Sequence, residues 1–160
     1  MDERVLTPDM IDAIKAFFPR YPSRQAVTLP ALHIVHDAHR EVTPAAMIEI
    51  AELLELHPSE VNDTMTFYQF FKEEGHALGR HRVWVCRSIS CMLRGSEDML
   101  LKLSDKFGVK PGHNSSDGTF TLEFAECLGA CEGAPCMLVD EDCHMNLDEE
   151  SAAKLIEQLP

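Results

Sequence analysis

All six cysteines of the chain fall in its second half, at positions 86, 91, 127, 131, 136 and 143. Five of them lie in two short stretches, VCRSISC at 85–91 and ECLGACEGAPC at 126–136. Thiols at such spacing can bridge one another, exchange disulfides or hold a metal. Disulfide frameworks belong to small secreted domains, whereas thiols in a reducing compartment bind metal or do catalysis. A thiol–disulfide enzyme needs C-x-x-C, which the chain lacks. What remains is C-x4-C, a gap of 35 residues, then C-x3-C. Four thiolates suit structural zinc, which usually takes tighter C-x2-C knuckles, or an iron–sulfur cluster, since C-x4-C also opens the plant-type ferredoxin pattern. Spacing leaves both open.

Both thiol pairs need strand-to-loop junctions to meet. HRVWVC (81–86) is a β-rich run that ends on Cys86, with Cys91 in the loop before a helix. TFTLEFAEC alternates Phe120, Leu122 and Phe124 on one face, as a half-buried strand does, and ends on Cys127. MLRGSEDMLLKLSDKFG reads as a helix ended by Gly108, KPGHNSSDG as a loop, PCMLVD as a strand and DEESAAKLIEQL as a closing helix. This order predicts a small sheet with helices packed on it, with two cysteine loops at one end.

Residues 1 to about 75 have another character. Four helix starts carry prolines: TPDMIDAIKAFF, with Thr7 as cap and Pro8 behind it; TLPALHIVHDAHR; TPAAMIEIAELLEL, capped by Thr43; and HPSEVNDTMTFYQFF, from Pro58. His33, His36 and His39 lie three apart on the second, which suits a polar, partly exposed face better than a metal site. The aromatics Phe67, Tyr68, Phe70 and Phe71 suit closure of the helical unit or docking on a partner.

Composition narrows the partners. Of 160 residues, 45% are hydrophobic, and 27 acidic against 14 basic residues give a formal net charge of -13. That sign disfavours nucleic acid and anionic membrane surfaces. The charged start MDERVLTPDM resembles no leader peptide, and no apolar run is long enough to span a bilayer, so a cytoplasmic location is expected. There is neither G-x-G-x-x-G nor G-x-x-x-x-G-K-[ST], so no dinucleotide or phosphate-loop fingerprint is present.

VCRSISCMLRG together with ECLGACEGAP resembles the signature of the thioredoxin-like [2Fe–2S] ferredoxin family, and RYPSRQAVTLPALHIVHDAHREVTPAAMIEIAELLELHPSEV, TFYQFF, GVKPG and DGTFTLEFAECLGAC extend the likeness over residues of about 15 to 159. The resemblance implies an α+β protein: an N-terminal small helical bundle, residues 1–75, then a thioredoxin-like α/β [2Fe–2S] ferredoxin domain, residues 76–160. It implies one [2Fe–2S] cluster held by Cys86, Cys91, Cys127 and Cys131, and no catalytic residue. Cys136 departs from the family pattern, which has an aliphatic residue there; its x4 spacing from Cys131 makes it an alternative to Cys127, but at the head of CMLV it reads as a small buried hydrophobe. Cys143 is likewise assigned to packing. Glu126 and Glu132 should disfavour an added electron, Arg87 and Arg94 should favour it, and backbone N–H groups of LGAC should bond the sulfurs.

The function so implied is one-electron transfer in the NADH-oxidising module of respiratory NADH:quinone oxidoreductase, by a component that is not catalytic alone. FMN and NADH would belong to a partner flavoprotein subunit, with further peripheral-arm subunits around it. The assembly would lie on the cytoplasmic, inner face of a bacterial membrane, without direct insertion. The alternative is a diaphorase subunit of a soluble NAD-linked hydrogenase or formate dehydrogenase; a zinc-stabilised interaction module is the rival from another class.

Overall fold

The computed structural model describes residues 4–160, so the first three residues of the charged N-terminal stretch lie outside the described residues. The chain divides into two compact units, one running to Ala77 and the other from Leu78 to Pro160.

The first unit is built from α1 (Pro8–Lys15), α2 (Thr28–His39), α3 (Pro44–Leu54) and α4 (Pro58–Phe67). Prolines occupy the first turn of α1, α3 and α4, where a missing N–H costs nothing. Side chains satisfy the N–H groups left orphaned there: Thr7 Oγ1 accepts from Met10 N–H at 3.3 Å and Thr43 Oγ1 from Ala46 N–H at 3.2 Å. His57 caps α4 through Nδ1 while the Glu60 carboxylate, three residues on, accepts the His57 N–H at 2.9 Å. Leu32, Val35, Ile50, Leu54 and Val61 are fully buried between the helices.

Two expectations change here. The histidine face of α2 is not uniformly polar: His36 is buried, its ring 5.3 Å from that of Phe70 and 5.6 Å from that of Phe71. The fourth helix stops at Phe67, because Tyr68 turns to extended backbone and folds Phe70 and Phe71 back onto α2. The aromatic run is thus split between the core and the surface. Phe71 closes the core, while Phe67 stays 78% exposed.

The second unit is a five-stranded sheet in the order β2-β3-β1-β4-β5: β1 (His81–Cys86), β2 (His113–Asn114), β3 (Phe120–Ala125), β4 (Met137–Val139) and β5 (Asp142–His144). Only β1 and β3 run parallel, in a register that sets Cys86 opposite Ala125. The parallel pair is joined through α5 (Ile89–Leu93), α6 (Ser96–Phe107) and β2, and α7 (Glu149–Glu157) follows β5. Val83, Val85, Leu122 and Met137 bury one sheet face with Leu100 and Leu103 of α6 and Ala152 and Ile156 of α7.

Here too the sequence reading needs amendment. The helix expected from Met92 breaks at Gly95, whose φ of 88° is left-handed, and restarts at Ser96. The short strand β2 lies in the stretch read as a loop, and β5 falls between the expected strand and the closing helix. And β3 is not half-buried: Thr121 and Glu123, on its polar face, are buried as well. Thr121 Oγ1 accepts from Gly79 N–H and donates to Asn114 Oδ1, both at 2.7 Å. Gly79 is required there, since a Cβ would stand 2.7 Å from the Phe120 carbonyl carbon. Glu123 Oε2 accepts from Arg82 Nε at 2.7 Å and from Trp84 Nε1 at 2.8 Å, which ties β3 to β1 with charge-assisted hydrogen bonds.

Candidate functional site

Because β1 and β3 are parallel neighbours, both cysteine loops leave the same end of the sheet. Arg87 N–H still donates to Ala125 C=O at 2.9 Å, so the two chains separate immediately beyond Cys86 and Ala125. The first loop turns at Ser88 into α5, which carries Cys91 inward. The second holds Cys127, turns at Gly129, where φ is 81°, and passes through a 3₁₀ turn at Cys131–Gly133 into β4. Gly133 has no room for a side chain, since a Cβ would lie 2.5 Å from that of Met145.

At this end Cys86, Cys91 and Cys136 form a buried knot with Ala134, and Leu128 and Ala130 of the second loop pack against it. The three sulfurs all lie within 4.8 Å of one another, and Cys91 Sγ is 3.7 Å from Cys136 Sγ. Backbone holds the third thiol in place, because Cys86 N–H donates to Cys136 C=O at 3.2 Å. Of the four expected ligands, then, Cys86 and Cys91 are brought together in the interior. Cys127 and Cys131 are exposed on the adjoining loop, and Cys143 is exposed on β5. Cys136 is buried, as its apolar neighbours imply, but its sulfur faces other sulfurs. That contact is not readable from spacing; the signal is the antiparallel pairing of β4 beside β1, which brings residue 136 level with Cys86.

The three thiols are unequal. Burial alone would raise Cys86, but bonds from the Leu128 and Ser88 backbone and the thiols of Cys91 and Cys136 outweigh it and hold Cys86 below its ordinary value. Leu128 belongs to the LGAC stretch, from which backbone bonds to sulfur are expected. Burial, assisted by the neighbouring Cys86, raises Cys91. Burial again, with Cys91 and Cys86 adding to it, pushes Cys136 far up.

Two of the four charges expected to act on the site, Arg87 and Glu126, are paired with each other. Arg87 grips Glu126 Oε1 through Nε at 3.0 Å and Nη2 at 2.5 Å, joining the residues that flank Cys86 and Cys127. Arg94 Nη1 donates to the Ala134 carbonyl at 2.9 Å. Beside the thiols, Ile89 and Leu93 of α5 are 71% and 78% exposed.

Five thiols at one end of a sheet, three of them dry, define a protein that holds a thiophilic metal centre; the donor set fits a cluster bound through cysteine. Residues 14–160 match the family model described as thioredoxin-like [2Fe-2S] ferredoxin, and the chain belongs to that family. It is 39% identical to the NADH-quinone oxidoreductase component designated E 2 of Rhizobium meliloti (strain 1021), over 92% of this chain and 87% of the relative. It is 34% identical to the NADH-quinone oxidoreductase component designated E of Escherichia coli (strain K12) over the same shares, and 32% identical to that of Pseudomonas aeruginosa over 98% and 93%. A chain of an NAD+-reducing [NiFe]-hydrogenase in its H2-reduced state shares the fold, with a TM-score of 0.70 and 24% identity over 82% of this chain; the match spans 22% of that hydrogenase chain.

Proposed function

We propose that the chain is a one-electron-transfer subunit of the NADH-oxidising module of a respiratory NADH:quinone oxidoreductase. In this reading Cys86, Cys91, Cys127 and Cys131 hold one [2Fe–2S] cluster. The observation that carries it is the exit of both cysteine loops from the same end of the parallel β1–β3 pair, with Leu128 of the second loop packed against the buried knot that contains Cys86 and Cys91. Near-full-length similarity to E-type components of NADH-quinone oxidoreductase supports the choice of complex.

When bound, the cluster supplies the one-electron redox chemistry. The residues of this chain do the rest. Cys86 and Cys91 bring their thiols from the dry interior, which excludes water from one side of the site. Cys127 and Cys131 come from the exposed rim, the side from which a partner can approach. The Arg87–Glu126 pair neutralises two charges that would otherwise bias the potential in opposite directions. Exposed Ile89 and Leu93, next to Cys91, suit an apolar docking surface for a flavoprotein subunit that carries FMN and NADH. Further peripheral-arm subunits would complete the assembly at the cytoplasmic face of the membrane. No helix among the described residues is long and apolar enough to cross a membrane.

The test is reduction of the purified, iron-reconstituted chain by NADH with and without its flavoprotein partner. The expected result is a brown chain inert to NADH alone, whose cluster is reduced once the partner is added. FMN bound to the isolated chain, or NADH turnover by it, overturns the reading.

A further inference from the structure

We propose that in the cluster-free chain Cys86, Cys91 and Cys136 form a mononuclear zinc site, and that zinc bound there competes with loading of iron. Two geometric facts carry this. First, zinc–thiolate bonds of about 2.3 Å in a tetrahedral field put neighbouring sulfurs about 3.8 Å apart. Cys91 and Cys136 already stand 3.7 Å apart, and Cys86 lies within 4.8 Å of both. Second, all three residues are buried beneath Leu128 and Ala130, so the ion would be held without reordering the exposed loop that carries Cys127 and Cys131. Three thiolates leave a fourth position for water or an incoming thiol, as in zinc sites that exchange ligands.

Cys136 has no place in the four-cysteine reading of the cluster, yet it completes this site. Zinc therefore draws Cys86 and Cys91 away from iron, and the thiol protons leave as the ion binds. The inference stands whichever thiols hold the cluster, because its primary test contains no iron.

The experiment uses the full chain, stripped of iron, under anaerobic reducing conditions, with zinc affinity measured by chelator competition and Co²⁺ as a spectroscopic substitute. One zinc per chain is expected, with a cobalt charge-transfer band of the intensity given by three thiolates. Removal of an outer-shell partner typically costs about 10–100-fold in metal affinity, so loss of a direct ligand in Cys136→Ala should weaken zinc at least about 100-fold. The double variant Cys127→Ala/Cys131→Ala should bind zinc within about threefold of the parent. In iron reconstitution with one equivalent of zinc present, the parent should load slowly and Cys136→Ala at its zinc-free rate. Equal zinc affinity in the parent and Cys136→Ala overturns the proposal. So does loss of zinc from the Cys127/Cys131 double variant, or a cobalt band of four-thiolate intensity in the parent. None of these outcomes bears on whether iron reconstitution succeeds in the absence of zinc.

Discussion

Replacing Glu123 by alanine should be among the most damaging single changes in the second unit, although it alters no thiol. Its carboxylate accepts from Arg82 Nε at 2.7 Å and Trp84 Nε1 at 2.8 Å, with the Arg82 and Glu123 side chains 8% and 10% exposed. The alanine variant leaves a buried guanidinium without this counter-ion, a loss of about 3–5 kcal/mol. It also strips the indole N–H of an acceptor, nominally about 1–3 kcal/mol more. The Arg82 guanidinium stacks 4.0 Å from the Trp84 ring centroid and would keep that contact, so the two losses do not simply add. An overall loss of about 3–5 kcal/mol is the expected figure. With a urea slope of about 1–3 kcal/mol/M, the midpoint should fall by at least about 1 M. Trp84 is the only tryptophan of the chain, so its fluorescence reports on this unit. Glu123→Gln keeps an acceptor and should cost less, about 1–3 kcal/mol. The apolar pair Arg82→Met/Glu123→Leu should recover much of the stability. A loss below about 1 kcal/mol in Glu123→Ala, or a double variant less stable than the single, would refute the claim that this buried pair fixes β1 against β3.

Three further outcomes are expected. Thr43→Ala removes the N-cap of α3 and should lower the stability of the helical unit by about 1 kcal/mol, measured by helical circular dichroism in denaturant. Asp117 accepts from Ser115 Oγ at 2.6 Å and Thr119 N–H at 3.0 Å, and these bonds, the hydroxyl first, hold its carboxyl at about 2. A depressed carboxylate stabilises the fold above its unfolded value near 3.8, and that contribution is lost as pH falls toward 2; carbon-detected NMR titration should show Ser115→Ala moving the midpoint up. Phe67→Ala/Tyr68→Ala should leave the iron content unchanged and weaken flavoprotein binding at least about tenfold in calorimetry, since both rings are exposed; unaltered affinity would exclude a docking role.

The helical unit was legible because its signals are local. Thr7 with Pro8 and Thr43 with Pro44 mark helix starts through caps that involve only residues three apart. The end of α4 was not, because Phe70 and Phe71 leave the helix for a tertiary reason, the burial of their rings against His33 and His36. The same holds in the second unit. β1 and β3 announce themselves by β-branched and aromatic content, whereas the two- and three-residue strands β2 and β5 exist only through their partners. Glu123 shows why alternation misled: a charged residue at an outward position reads as solvent-facing until Arg82 and Trp84 are known to meet it. At the site, Cys86 and Cys91 were readable from C-x4-C. The closeness of Cys136 to both depends on β4 pairing antiparallel to β1, a long-range choice that spacing does not encode.

The central claim, one [2Fe–2S] cluster on Cys86, Cys91, Cys127 and Cys131, is tested most directly by anaerobic reconstitution of Cys127→Ala beside Cys136→Ala, with iron, acid-labile sulfide and the EPR of the reduced state measured on both. Cys136→Ala should hold about two iron and two sulfide per chain and give the signal of the parent, while Cys127→Ala should lose colour and signal. A cluster retained in Cys127→Ala and lost in Cys136→Ala would contradict the account and assign the fourth ligand to the buried thiol.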